Sequence, residues 1–501
     1  PIVLRHRLES VKMLPDSGAD HDPLTYGVVT AEAVAVPEAT AARRRRVHCM
    51  PITAPPDLPG QPTLWSASID ALAVGVDVAR SGDELSIIGA PDPNASRLFV
   101  ISAGNVSGQD FQLDYRSACD ASVIEDPAQA WNALTVGAFT ELTAIPSQPS
   151  FAGWTALSSA GDISPHSRTS QFVAAHAWPI KPDICMEGGN VLTDGAGSFD
   201  ESHPLLSLRT TDIRHDFALG SANATSAATA QAARLAALAR ASYPDFWPET
   251  IRGLLTHAAE WTPIMRSQID ACSKKAEKLL MLRRYGWGVP SEEAVLTSSA
   301  NAVTLVTQDQ FIPFDGPDYA ARLFRLHRLP WPDETLRTLA ANDVSLRVTL
   351  SYFIEPTASR RGWRRRYAYA SHGLRFELKA PTETLDEFVR RVNQEAQDEE
   401  DGTSRPSARP DRWLIGPNQR NLGSLHQDVW EGSGADLADS GVLAVHPVGG
   451  WWKNRRAQDR VDTPVRYALI VSLRTDQQGV DLYTPIAVQL QLPIETAVPG
   501  T

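Results

Sequence analysis

Leu98-Phe99-Val100-Ile101-Ser102-Ala103-Gly104-Asn105 and Ala224-Thr225-Ser226-Ala227-Ala228-Thr229-Ala230 are the stretches that decide the reading of this 501-residue chain. The first is an apolar run of strand length that closes on small residues and a carboxamide. The second leads into the apolar helix-forming run Ala232–Ala241 and puts a hydroxyl at the helix start, among residues small enough to admit a substrate. Acyl transfer needs a nucleophilic oxygen and hydrogen-bond donors aimed where negative charge develops. A serine in the first turn of a helix gains from the free N–H groups and partial positive charge there, and an asparagine NH2 supplies a second donor. Ser226 is the candidate nucleophile and Asn105 the candidate oxyanion donor.

Further segments fall in order around these two. Val47-His48-Cys49-Met50-Pro51-Ile52 precedes a helical run near Ser68–Val78, and the Ser-Ala-Gly-Asn strand end follows. Pro127–Ala138 closes on Val136-Gly137-Ala138, Lys181-Pro182-Asp183-Ile184 precedes Ser226, and Pro244–Ala259 and Tyr285-Gly286-Trp287-Gly288-Val289 come after it. In this order the segments resemble the subtilisin-like serine peptidases, or subtilases. The resemblance implies that Val47–Ile52 lines the substrate, that Ser226 attacks the peptide carbonyl, and that Asn105 with the Ser226 N–H holds the oxyanion.

Departures from the family pattern are as specific. The nucleophile signature Gly-Thr-Ser-x-Ala-x-Pro has Ala224 in place of its Gly and Ala230 in place of its Pro. Ser221, after Gly220, is a rival nucleophile but lacks the preceding Thr and the helix directly behind it. The family also needs an upstream Asp and His, the His as general base and the Asp to orient it. None of the twelve histidines is followed by Gly-Thr; His372-Gly373 comes nearest, after Ser226 and in a strand-rich region. Asp16-Ser17-Gly18 looks like the family's Asp motif but follows Pro15 and reads as a turn. Arg5–Leu14 alternates like the core strand that follows the missing His helix. The expectation is an N-terminally truncated subtilase, inactive alone, whose complete form is a serine endopeptidase. The alternative is a subtilase-like module that binds peptides or proteins without cutting them.

Composition frames this reading. The length suffices for two or three domains, and 43% hydrophobic residues supply a core. A net charge of −12 argues against a nucleic-acid binder, and the Arg43–Arg46 run is local. No apolar stretch approaches the roughly 20 residues of a membrane span. Cys49, Cys119, Cys185 and Cys272 show no Cys-x-x-Cys pairing, so neither zinc nor a disulfide framework is implied. Cys49 and Cys185 read as buried thiols, and free thiols lean towards a cytoplasmic protein. Phosphate loops, dinucleotide fingerprints, His-Glu-x-x-His and Gly-x-Ser-x-Gly are lacking. No cofactor and no metal is expected; the partner is a peptide or protein substrate, with no nucleic acid and no membrane.

Periodicity gives the organisation. Tyr26–Ala35 and Ser66–Val78 read as helices, and Val47–Thr53, Leu98–Ser102 and Leu134–Ala138 as short buried strands. Alternating strands and helices predict an α/β fold, a subtilisin-like parallel sheet with helices on both faces, over residues 1–300. Ligands then gather at the C-terminal strand ends, where Asn105 falls. Ile145–His215, rich in Ser, Gly, Pro and Asp, reads as loops and an insertion. In it, Glu187-Gly188-Gly189-Asn190 is either a plain turn or a border of the cleft. Beyond residue 300, the alternation of Val344–Ile354 and the runs Arg466–Arg474 and Tyr483–Leu492 predict a C-terminal antiparallel β-sandwich, jelly-roll-like, over residues 301–501. Leu385, Phe388, Val389 and Val392 mark a packing helix in Thr382–Asn393, and Gln397–Arg412 reads as a mobile loop. Trp430, Trp451 and Trp452, near His426 and Asp428, are read as core in preference to a binding patch, and Asp428 lacks calcium-ligand spacing.

Overall fold

Apolar runs too short for a helix and without a polar face, such as Leu98–Ser102, are satisfied only between two layers. The structure, a computed structural model, uses them in this way. It describes all residues except 1–5, 16–20, 57–58, 61–62, 82–83, 107–110, 112–113, 174–177, 213–215, 297–301, 316–320, 323, 340–342, 358–368, 402–411, 455–459, 461 and 476–501. The Asp16-Ser17-Gly18 turn and the Tyr483–Leu492 strand therefore lie outside the described residues. The chain divides into two units, Pro1–Leu296 and Thr297–Thr501.

The first unit runs α1 (Tyr26–Thr40), β1 (Val47–Met50), α2 (Leu64–Ala73), β2 (Asp77–Ser81), β3 (Glu84–Ile88), β4 (Leu98–Ser102), α3 (Tyr115–Ala121), β5 (Leu134–Thr140), β6 (Thr155–Ala156), β7 (Asp162–Ile163), β8 (Ile184–Glu187) and α4 (Ala224–Ser242). The order β1-β4-β5-β8 is parallel, with Val47 opposite Leu98, Val100 opposite Leu134 and Val136 opposite Ile184. β7 adds an antiparallel pair at Phe139 and Thr140. This mixed sheet with helices is an α/β arrangement, as expected. All of β4 and β5 is buried, and each large apolar side chain so placed contributes about 1.5–3 kcal/mol.

α4 lies across β1, β4, β5 and β8. Its sheet-facing positions Ala228, Ala232, Ala236 and Ala239 are fully buried, and alanine combines close approach with the best helix propensity. Because β1 and β4 run parallel, Pro51 and Ala103–Asn105 leave the sheet at the same end, where α4 begins.

Several elements depart from expectation. Ser66–Val78 is not one helix: α2 ends at Ala73, and Gly75 (φ 82°) turns the chain into β2. A Cβ on Gly75 would lie 2.1 Å from the Asp92 carbonyl oxygen, so the turn excludes any side chain. α1 runs past Ala35 to Thr40, with Pro37 inside its last turn. Residues 6–15 form no strand among the described residues, and Leu8 is 92% exposed. An alternating pattern forms a strand only where a neighbour takes its backbone hydrogen bonds; here Glu9 is tied instead to Arg44 and Arg46. Cys49 is exposed, because one face of the short β1 is open, whereas Cys185 is buried as expected. Within Ile145–His215 a three-stranded sheet joins β6 to Leu192–Thr193 and Phe199–Asp200, and Leu208–Thr211 pairs with Leu219–Ala222.

Among the described residues the second unit holds two larger antiparallel sheets and a short pair, Phe314–Asp315 with Ala321–Arg322. Ala302–Phe311, Val465–Thr475, Asp343–Tyr352 and Leu425–Ser433 form one in that order, and Arg325–Arg328, Val442–Val448 and Gly373–Leu378 the other. The helix Leu385–Asp401 buries Phe388 and Val392 against Phe324, Leu326 and Ala444. It continues through 397–401, correcting the loop expected to begin at Gln397: the acidic residues there continue the helix. Trp430, Trp451 and Trp452 are core residues, with Trp451 Nε1 donating to the Glu355 carbonyl and Trp452 Nε1 to the Glu355 carboxylate. Asp428 is buried and accepts from the N–H groups of Ile415 and Gly416. Among the described residues no cluster of His, Cys, Asp and Glu could hold a metal ion, and no helix is long and apolar enough to cross a membrane.

Candidate active site

Asn105 follows β4 through Gly104, and the chain around it is held on both sides. Gly104 has φ 96°, and the N–H of Val106 donates to the His166 carbonyl at 3.0 Å. Arg168 Nε donates to the Asn105 carbonyl at 2.7 Å. With the backbone fixed, the side chain reaches the start of α4: Asn105 Oδ1 accepts from the Thr225 N–H at 3.1 Å and from Thr225 Oγ1 at 2.6 Å. A backbone N–H only donates, so the carboxamide atom facing Thr225 is the oxygen. Its Nδ2 therefore points the other way, and Asn105 is exposed.

Ser226 is the next residue. Its Oγ donates to the Pro51 carbonyl, just beyond β1, at 3.1 Å. In the first turn of α4 the Ala224 N–H donates to the Gly188 carbonyl and the Thr225 N–H to Asn105, while the Ser226 N–H has no acceptor among the described residues. The segments carrying Asn105 and Ser226, more than a hundred residues apart, thus meet through Thr225. An N–H and a carboxamide NH2 left open in adjoining segments are the kind of donors that an acyl-transfer oxyanion requires. Thr225 Oγ1 has one proton, which serves the shorter contact to Asn105; the Gly104 carbonyl lies at 3.2 Å. Thr225→Val should loosen the carboxamide and lower kcat about 2–10-fold at unchanged KM, the equivalent of one neutral hydrogen bond. Steady-state kinetics on a peptide substrate checks this, and a change in KM alone contradicts it.

Ala224 adopts φ 64° and, among the described residues, is the non-glycine residue with a left-handed backbone. Its N–H bond to Gly188 at 2.6 Å holds it there. Gly188 is in turn obligatory, since a Cβ on it would lie 2.4 Å from the Ala138 Cβ. The Glu187–Asn190 turn therefore supports the start of α4. Left-handed backbone costs an alanine about 1–2 kcal/mol. Glycine loses about 0.4–1 kcal/mol of that gain through its freer unfolded chain. Ala224→Gly should therefore stabilise the protein by roughly 0.5–1 kcal/mol. A denaturant midpoint that falls would contradict this account.

At the start of β8, the Lys-Pro-Asp-Ile segment buries an ion pair. Lys181 Nζ donates to Asp183 Oδ2 at 2.7 Å and to the Ala133 carbonyl at 2.8 Å, and the Thr135 N–H shares Oδ2. Burial pulls the lysine pKa down against the pull of Asp183. With its partners satisfied, the pair ties β8 to β5.

No histidine or carboxylate bonds Ser226 among the described residues. His48 stacks on Phe99 within β1 and β4, and burial pushes its pKa down to about 4. His166 packs by its ring on Phe111, its pKa likewise pushed to about 4 by burial. His372 belongs to the second unit, buried beside Ser371. The rival Ser221 sits in an exposed hairpin strand opposite Arg209. Thr225, which the sequence offers only as the residue preceding the serine, is in the structure the clamp on Asn105.

The model of the subtilase family, Peptidase S8, matches residues 2–288, more than half the chain, and the chain belongs to that family of serine peptidases. Among solved structures it is similar to a mutant of the protease domain of PatA, at 15% identity over 54% of this chain and 64% of that one, with a TM-score of 0.28. It is also similar to the self-cleaved protease domain of PatA (16%, 54% and 66%, 0.26) and to the patellamide maturation protease PatA (16%, 54% and 67%, 0.29). The chain spans just under two thirds of the first two of these structures. No curated protein matches it.

Proposed function

We propose that the protein is a serine endopeptidase acting on peptides or proteins, with Ser226 as nucleophile. Ser226 Oγ attacks the scissile carbonyl carbon while its proton passes to a general base. Asn105 Nδ2 and the Ser226 N–H hold the oxyanion until the C–N bond breaks and the protonated amine leaves. Water then attacks the acyl-enzyme and restores the hydroxyl. The observation that carries this reading is the Thr225 clamp, which takes Asn105 Oδ1 and so leaves the NH2 directed away from Thr225, the residue before Ser226. The general base and its orienting carboxylate are not among the described residues that bond Ser226.

One observation favours a second reading, a peptide- or protein-binding module: Ser226 Oγ has the Pro51 carbonyl, not an imidazole, as its partner. A serine-directed fluorophosphonate separates the two. Labelling of the protein that is lost in Ser226→Ala supports the peptidase; a protein that neither labels nor hydrolyses a denatured protein substrate is the binding module. For the second unit we infer a β-sandwich, jelly-roll-like. Its support is the bond between His327 of one sheet and Tyr467 of the other, 2.7 Å between Nε2 and the hydroxyl.

A further inference from the structure

The Arg43–Arg46 run stands between α1 and β1, and its four guanidiniums are not equivalent. The Glu9 carboxylate takes Arg44 and Arg46, each at 2.6 Å, and Arg46 also donates to the Pro37 and Ala41 carbonyls. Arg43 and Arg45 are exposed and make no hydrogen bond or ion pair among the described residues.

α4 packs on β1 and brings a fifth guanidinium to this corner. Arg240 lies in its last turn, and two of its donors, Nε and Nη1, are buried with no acceptor among the described residues. Burial first, and then the charge of Arg45, pull the Arg240 pKa down to about 10, while Glu249 of the helix Pro248–His257 pulls the other way more weakly. The guanidinium therefore stays charged at neutral pH. Burial, and then the charges of Arg97, Arg46 and Arg240, lower the pKa of His48 in β1, so Arg240 and the arginine run share one neighbourhood. The Glu38 carboxylate there is taken up by Arg97 at 2.7 and 2.8 Å. Buried charged donors in folded proteins are met by an acceptor, since the water they lose must be replaced. Two guanidiniums that repel each other, one with unmet buried donors, define a place for an anion.

We propose that Arg240 and Arg45 form a binding site for a phosphate group, carried either by the free ion or by a phosphate monoester. The planar guanidinium fork matches phosphate oxygens in pairs, and two forks balance the two charges of the dianion. Arg240 supplies the fixed donors, and the exposed Arg45 turns onto the ligand from solvent. The site lies about 21 Å along α4 from Ser226, so the inference stands apart from the peptidase reading. Isothermal titration calorimetry tests it on the full chain at about pH 8, where phosphate carries two charges. The titrants are inorganic phosphate and glycerol 3-phosphate, with acetate and chloride at matched ionic strength as controls. A single saturable phosphate site is expected, with the controls silent. Arg45→Ala and Arg240→Met should each weaken it about tenfold or more, the loss of a charge-assisted contact, and Arg43→Ala should leave it within about twofold. Because Arg45 is exposed, its replacement tests the site independently of any folding defect in Arg240→Met. Tighter binding of glycerol 3-phosphate supports a monoester as the ligand, and tighter binding of inorganic phosphate supports the free ion. Absence of saturable binding, equal binding of acetate or chloride, or phosphate binding that survives both variants overturns the proposal.

Discussion

Ser226→Ala should abolish peptide hydrolysis and leave the fold intact. Removing the nucleophile of subtilisin, itself a subtilase, costs about 2 × 10⁶ in kcat, and a loss of that order takes turnover below detection. The structural cost is small. The hydroxyl makes one bond, to the Pro51 carbonyl at the edge of the cleft, and such a bond contributes about 1 kcal/mol or less where water can replace it. The Ser226 N–H, the Thr225 clamp and the α4 packing on Ala228 and Ala232 all remain. Thermal unfolding within a few degrees of wild type, together with lost hydrolysis and lost fluorophosphonate labelling, is the expected outcome. Hydrolysis that persists in a folded variant moves the nucleophile elsewhere, and Ser221 is then the next residue to replace.

Asn105→Ala is the second large effect. It removes the outward NH2, and loss of one such oxyanion donor, measured in subtilisin, lowers kcat about 10²–10³-fold with little change in KM. It also leaves the Thr225 N–H without its acceptor, with the hydroxyl turning to the Gly104 carbonyl, a stability loss of about 1–3 kcal/mol. Asn105→Asp separates the two consequences: the carboxylate still accepts from Thr225 but offers no donor and sets a negative charge beside the developing oxyanion. Equal or greater loss of kcat in Asn105→Asp, at near wild-type stability, is the expected result. If Asn105→Asp retains full kcat, the carboxamide is not an oxyanion donor.

Much of the N-terminal unit was readable from local pattern. Leu98–Ser102 is a strand over the residues expected, because an uninterrupted apolar run of that length satisfies both faces of a parallel sheet. Ala232–Ala241 lies within α4, because alanine-rich sequence with leucines spaced three apart suits a helix against a flat sheet. In the second unit, Val344, Leu346, Val348, Leu350 and Tyr352 are buried as their alternation implied. Local pattern failed where the outcome depends on distant atoms. Residues 6–15 alternate without a strand to pair with, and the helix reading of Ser66–Val78 ran through Gly75, whose turn is enforced by the Asp92 carbonyl.

The amino-acid order alone determined that a hydroxyl begins one helix and a carboxamide ends one strand, because helix starts and strand ends are written in small, polar and apolar residues next to each other in the chain. Only the tertiary structure decided which end of the carboxamide faces outward, that Ala224 is forced into a left-handed backbone, and that the Glu125 carboxylate takes the Thr53 hydroxyl. Each of these is set by a backbone donor, a carbonyl or a hydroxyl brought in from a remote segment. Such contacts come into being when the sheet and α4 pack, and no window of sequence contains both partners.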